Sequence, residues 1–140
     1  LENKEIKELN LSGNDITTFP KSSYYVKNFI LDNCNLSDDD LLKIYQNLTG
    51  FTEISLANND ICTLSEITCL EDLDRGYINL SGNKNLNLET LAYIRDFPNI
   101  NLSNCNITDV SKIADNYSGA ILNLSYNPIE DLMPFNNCEY

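Results

Sequence analysis

The sequence predicts an α/β solenoid: an arc of about six short parallel strands on a concave face, with short helices, 3₁₀ turns and loops on the convex side. Two observations carry that expectation. The first is a phrase repeated six times. Leu9-Asn10-Leu11-Ser12-Gly13-Asn14-Asp15-Ile16 returns as Ile54-Ser55-Leu56-Ala57-Asn58-Asn59-Asp60-Ile61, as Ile100-Asn101-Leu102-Ser103-Asn104-Cys105-Asn106-Ile107 and as Leu122-Asn123-Leu124-Ser125-Tyr126-Asn127-Pro128-Ile129. Looser copies are Phe29-Ile30-Leu31-Asp32-Asn33-Cys34-Asn35-Leu36 and Ile78-Asn79-Leu80-Ser81-Gly82-Asn83, the latter reaching Leu86 after one extra residue. The second observation is the period. From Leu11 through Leu31, Leu56, Leu80 and Leu102 to Leu124 the steps are 20, 25, 24, 22 and 22 residues.

The phrase has a physical reading. In Leu-x-Leu, apolar side chains alternate with exposed ones, so two per strand point into the core. The chain then turns, and the Asn that follows faces inward, where the backbone of its own turn and of the neighbouring coil can satisfy its amide. Stacked copies predict an asparagine ladder of Asn14, Asn59, Asn83 and Asn127, with Cys34 and Cys105 in the same slot as small, weakly donating thiols. One coil cannot bury its own apolar face, so stability comes from stacking. This period and phrase are the signature of a leucine-rich repeat.

Composition narrows the function. The 140 residues suit one domain, residues 1–140, and 42% hydrophobic content suffices for a core. Nine Lys+Arg against 21 Asp+Glu give a net charge of -12. That balance argues against binding nucleic acid through its phosphates and against anionic membrane surfaces, and it suits a basic protein partner. No stretch approaches the roughly 18 apolar residues of a membrane span, and Leu1-Glu2-Asn3-Lys4 carries no signal peptide. A repeat already under way at Ile6 and another still open at Tyr140 predict a longer array.

Five cysteines give a mixed message. Cys34, Cys105 and Cys138 fall at ladder or core positions and are expected buried and reduced. Cys62 and Cys69 are free to meet, as a bridge or as two thiols. No metal site is expected, since the chain has no His and no C-x-x-C pair.

Along the chain, Ile6, Leu9 and Leu11 frame the first strand, and Pro20 with Ser22-Ser23-Tyr24-Tyr25 argues against a helix in the first return. Ser37-Asp38-Asp39-Asp40 followed by Leu41, Leu42, Ile44, Tyr45 and Leu48 predicts a capped helix ending before Gly50. The acidic triplet lacks the Gly and closing Glu of a calcium loop, so a helix start explains it. Leu64, Ile67, Leu70 and Leu73 suggest helical or 3₁₀ turns, with Arg75 an irregular join. Leu88, Leu91 and Ile94 suggest another helix stopping at Pro98. The fifth coil holds Val110, Ile113 and Ala114, then loosens through Asn116-Tyr117-Ser118-Gly119, and the last offers Leu132, Phe135 and Cys138.

Ile61-Cys62-Thr63-Leu64-Ser65-Glu66-Ile67, Ile107-Thr108-Asp109-Val110-Ser111-Lys112-Ile113 and Ile129-Glu130-Asp131-Leu132-Met133-Pro134-Phe135 each follow the strand motif directly. This continuation resembles the 22-residue repeats of the internalin family of bacterial surface proteins. The same short repeat class occurs in cytosolic phosphatase-regulating proteins. The internalin resemblance implies protein recognition on the concave sheet face, of a host receptor for surface members.

The motif assigns that face to Glu8, Asn10, Ser12 and their counterparts, among them Ser55, Ala57 and Gly82. It is mostly small and polar, whereas binding hot spots favour aromatic and large apolar anchors. Only Ile30, Tyr77, Ile121 and Tyr126 qualify. Tyr77, Ile121 and Tyr126 are the expected anchor cluster, with Asp32 and Glu53 an acidic patch for a basic partner. The competing reading is that Asn and Ser are fillers and binding lies on other repeats. Asn79, Asn101 and Asn123 could offer a glycan-binding row, which repetition explains more simply. Of eight Asn-x-Ser/Thr sequons, only Asn47 and Asn116 look loop-like; the rest read as by-products of the phrase. Catalysis is not expected: without His there is no nucleophile–base pair, Asp72 and Asp74 imply no pocket, and Ser12-Gly13-Asn14 is a repeat turn, not a phosphate loop. The sequence thus predicts a non-catalytic, cofactor-free recognition domain of a secreted or surface-anchored adhesin-like bacterial protein. The alternative is an intracellular scaffold or regulatory subunit that docks an enzyme.

Overall fold

The structure, a computed structural model, describes residues 5–19, 25–47, 51–64, 76–93 and 98–137. The expectations on Pro20, Ile67, Leu70, Leu73, Asp72, Asp74, Arg75, Cys69 and Cys138 lie outside these residues. Six strands form one parallel sheet in sequence order: β1 (Glu5–Asn10), β2 (Tyr25–Ile30), β3 (Glu53–Ser55), β4 (Tyr77–Asn79), β5 (Asn99–Asn101) and β6 (Ile121–Asn123). The arc is open. Leu9, Phe29, Ile54, Ile78, Ile100 and Leu122 sit side by side in the register. They point inward because side chains alternate across a strand, so each shares its face with the Leu two residues on, at Leu11, Leu31, Leu56, Leu80, Leu102 and Leu124.

Backbone pairing runs on past the strand ends. Leu11, Leu31, Leu56, Leu80 and Leu102 each donate an N–H to the next coil at 2.8–2.9 Å, and so do the turn residues Gly13, Asn33, Asn58, Gly82 and Asn104 at 2.7–2.9 Å. These turn residues are left-handed, with φ between 53° and 76°, a conformation that Gly and Asn tolerate best. Gly82 is further constrained: a Cβ there would lie 2.0 Å from Asn58 Oδ1.

The ladder forms as the repeats predict. Asn59 is its fullest rung. Its Oδ1 accepts the N–H groups of Cys34 (2.9 Å) and Leu36 (3.0 Å), and its Nδ2 donates to Leu31 O and Leu56 O, both at 2.9 Å. Asn127 repeats this set on Cys105, Ile107, Leu102 and Leu124. Asn83, fully buried, accepts from Ile61 N and donates to Leu56 O and Leu80 O. The thiols supply the donor half of the same bond set. Cys34 Sγ donates to Leu11 O (3.3 Å) and Cys105 Sγ to Leu80 O (3.2 Å). Burial pushes the Cys105 thiol up, which keeps it protonated as a donor. Asn14, on the first coil, binds the carbonyls of its own turn.

The core lies between the sheet and the convex segments. Leu31, Leu36, Ile61, Leu64, Leu80 and Val110 are fully buried, while Leu9, Leu11, Leu122 and Leu124 in the end coils are half-buried. The convex side begins with the expected helix, α1 (Asp38–Asn47). Ser37 N–H and Oγ both bond Asp40 Oδ2, at 3.0 and 2.9 Å, and Lys43 Nζ pairs with Asp40 Oδ1 at 2.7 Å. Asp38 serves a different purpose: its Oδ1 accepts Cys62 N and Thr63 N, tying α1 to the third coil. Leu41 and Ile44 are buried but Leu42, expected on the apolar face, is exposed, because its position points away from the sheet at 3.6 residues per turn.

Partial burial pushes the Asp40 carboxyl up, but Lys43 and the Ser37 donors outweigh it and hold it below its ordinary 3.8. The folded value is depressed, so the stabilisation is complete above 3.8 and fades as pH falls through the lowered value. Asp40→Asn is expected to cost about 0.5–1 kcal/mol at neutral pH. The gap from the parent in urea midpoint should close in strong acid, and a gap that grew on acidification would contradict the assignment.

Later coils use 3₁₀ turns, Leu88–Tyr93 and Met133–Asn137, and a second helix, α2 (Ser111–Asn116), which spans Ile113 and Ala114 and ends where the sequence loosens. Each starts on a side-chain oxygen two residues before the N–H it accepts: Asn87 for Glu89, Asp109 for Ser111, Asp131 for Met133. This is what the Asp in Ile-x-Asp does. Leu132, expected in the core, is 63% exposed.

Candidate protein-binding face

The strand register sorts the concave face into rows. One row runs Glu8, Asn28, Glu53, Tyr77, Asn99, Ile121; the next runs Asn10, Ile30, Ser55, Asn79, Asn101, Asn123. The Asn residues of the second row have a structural task. Asn10, Asn79, Asn101 and Asn123 each accept the N–H two residues on, at 3.0–3.1 Å. A glycan-binding row would find these oxygens occupied.

The third coil has Ser55 where that capping Asn should be. Asp32 of the neighbouring coil substitutes: its Oδ1 accepts Ala57 N at 2.9 Å and Ser55 Oγ–H at 2.5 Å, while Ser55 Oγ accepts Asn79 Nδ2 at 2.9 Å. This corrects the expected surface in two ways. Ser55 and Ala57, assigned to the open face, are buried, as is Gly82. Asp32 is bound into the sheet, one row of turns away from Glu53. A missing Asn at position 55 opposite an Asp at 32 was the signal available in the sequence.

The aromatic and apolar residues fare differently. Tyr77 and Ile121 share a row, two strands apart with Asn99 between them, and are 36% and 61% exposed. The Tyr77 hydroxyl lies 3.5 Å from Asn101 Nδ2, so the ring leans over β5. Ile30 is half-buried between Asn10 and Ser55. Tyr126 heads the turn after β6, 88% exposed, with φ at 59°. Every other coil has Gly or Asn at that position. At the β1–β3 end, Glu5, Lys7, Glu8, Lys27, Asn28 and Glu53 line an open cleft of about 370 Å³, in which Glu8 accepts Asn28 Nδ2 at 3.1 Å. Sequence reasoning left Glu8 out of the acidic patch, although it stands in the row of Glu53.

Three thiols lie among the described residues. Cys34, Cys62 and Cys105 are free, and only Cys62 is accessible; burial first, then Asp38 and Asp60, push its thiol up. The bridge considered for Cys62 involves Cys69, outside the described residues. A thiol reagent is expected to modify Cys62 in the native protein, and Cys34 and Cys105 only on unfolding. Mass spectrometry of the labelled peptides checks this, and native labelling of Cys105 would contradict its place in the ladder. Among the described residues no group of His, Cys, Asp and Glu could hold a metal, and no helix is long and apolar enough to cross a membrane.

The Leucine Rich Repeat family model matches residues 5–24, the first coil. The coils that follow repeat its strand, turn and ladder geometry, so the fold is a leucine-rich repeat arc. A comparison with curated proteins gave no match. Leucine-rich repeats are in general protein-interaction modules, typically without catalytic activity of their own.

Proposed function

We propose that this arc is a non-catalytic recognition domain that holds a protein partner on its concave sheet and turn rim, with Tyr77, Ile121 and Tyr126 as anchors. The observation that carries the reading is Tyr126. A tyrosine in a left-handed turn costs roughly 1–2 kcal/mol relative to glycine, and nothing is gained from burial at 88% exposure. Strained, exposed aromatics of this kind belong to binding surfaces. The -12 net charge favours a basic partner.

The internalin-like continuation supports placing the domain on a secreted or surface-anchored bacterial protein, acting as an adhesin. The free thiols of Cys34, Cys62 and Cys105 favour a second reading, an intracellular scaffold that docks an enzyme. Antibody labelling of intact source cells, with and without external protease, separates them. Labelling that protease removes supports the surface reading; signal only after lysis sinks it and leaves the scaffold.

A further inference from the structure

We infer that the concave face reads one extended stretch of its partner, with an arginine or lysine side chain set between Glu53 and Tyr77 and an apolar side chain about three residues away on Ile121. The inference rests on the concave-face reading and gives it a polarity. Glu53 and Tyr77 are direct neighbours in the register, so their Cα atoms are about 4.8 Å apart across β3 and β4. Glu53 is partly exposed, with a carboxylate that makes no hydrogen bond or ion pair among the described residues, and Tyr77 leans away from it over β5. A cation laid between them meets a carboxylate on one side and an aromatic ring on the other, two attractions that reinforce each other on a partly desolvated surface.

Ile121 lies two strands beyond Tyr77, or roughly 10 Å, which an extended chain in the polyproline II conformation, whose side chains i and i+3 share a face, covers in three residues at about 3.1 Å each. Between the two, Asn99 presents an amide suited to a peptide backbone. Charge sets the direction: Glu8 continues the row beyond Glu53, in a cleft where the carboxylates of Glu5, Glu8 and Glu53 outnumber the cations of Lys7 and Lys27, whereas the row holds no charge from Tyr77 to Ile121. Asp32 is not part of this line, being bound to Ser55 and Ala57.

Selection of displayed random peptides, about twelve residues long, on the intact protein tests the inference. Enriched peptides are expected to carry a basic residue and an aromatic or branched apolar residue with two or three residues between them. Their binding should fall about tenfold or more in Glu53→Lys and again in Ile121→Ala, and stay unchanged in Leu42→Ala on the convex helix. Peptides that depend on Tyr77 and Ile121 but show no basic residue, or ignore Glu53→Lys, would overturn the polarity and spare the concave face. Peptides indifferent to Glu53→Lys, Tyr77→Ala and Ile121→Ala alike, or no enrichment at all, would overturn both.

Discussion

Replacing Asn59 by alanine is expected to be among the most destabilising single changes in the described chain. Asn59 Oδ1 takes two N–H groups of the second coil, and Nδ2 bridges the strand-end carbonyls of the second and third. Alanine leaves two N–H donors and two carbonyls at the coil interface without their partner, at about 1–3 kcal/mol for each group that water cannot reach. A total loss of about 3–5 kcal/mol follows, a large share of a typical domain's stability. Asn59→Cys is the informative companion. A thiol keeps the donor half, as Cys34 and Cys105 do on their own coils, but takes no N–H as readily. Urea unfolding should therefore rank parent above Asn59→Cys above Asn59→Ala. Alanine within about 0.5 kcal/mol of the parent would mean that apolar stacking, not the ladder, joins the coils.

The second large effect is on binding, and it carries the opposite sign on stability. Tyr126→Gly relieves a left-handed tyrosine and is expected to stabilise the fold by roughly 1 kcal/mol. Combined with Tyr77→Ala it should weaken affinity for the cognate partner about a hundredfold or more, since two exposed aromatic anchors are lost together. A more stable protein that binds worse is the mark of strain held for function. If the double variant bound as well as the parent, the aromatic anchors would have to be abandoned. If Tyr126→Gly were destabilising, Tyr126 would have a structural role that its exposure gives no sign of.

The repeat phrase alone made the strands, their parallel order and five ladder positions legible, because each rests on local alternation and on a slot that recurs; Asn14, read as the sixth, is exposed and binds its own turn. What it could not convey is compensation between coils. Asp32 looks like a surface acid until its register with Ser55 is known; then it is the cap that Ser55 cannot supply. The same holds for Asp38, which caps a neighbouring coil as well as opening α1. Helix α2 was missed because its six residues are too few to show a helical period, and its start is marked by a single Asp109. Leu132 reads as core by spacing, and its exposure depends on what packs beside the coil, which spacing does not contain. Of the anchors, Tyr77 and Ile121 could be placed in one row from the motif, since each is the first exposed position of its strand. Tyr126 could be seen as an odd residue at its position; its left-handed backbone needed the coordinates.

The concave face as the binding surface is tested most directly by photo-crosslinking. A benzophenone amino acid would replace Ile121 on the concave row in one protein and Leu42 on the convex helix in another, both positions being exposed. Each protein would be irradiated in an extract of the source cells or on their surroundings. Capture of the same discrete protein from position 121, competed by unlabelled parent and missing from position 42, is the predicted result. Capture from position 42 with none from position 121 would place the partner on the convex side and contradict the concave reading.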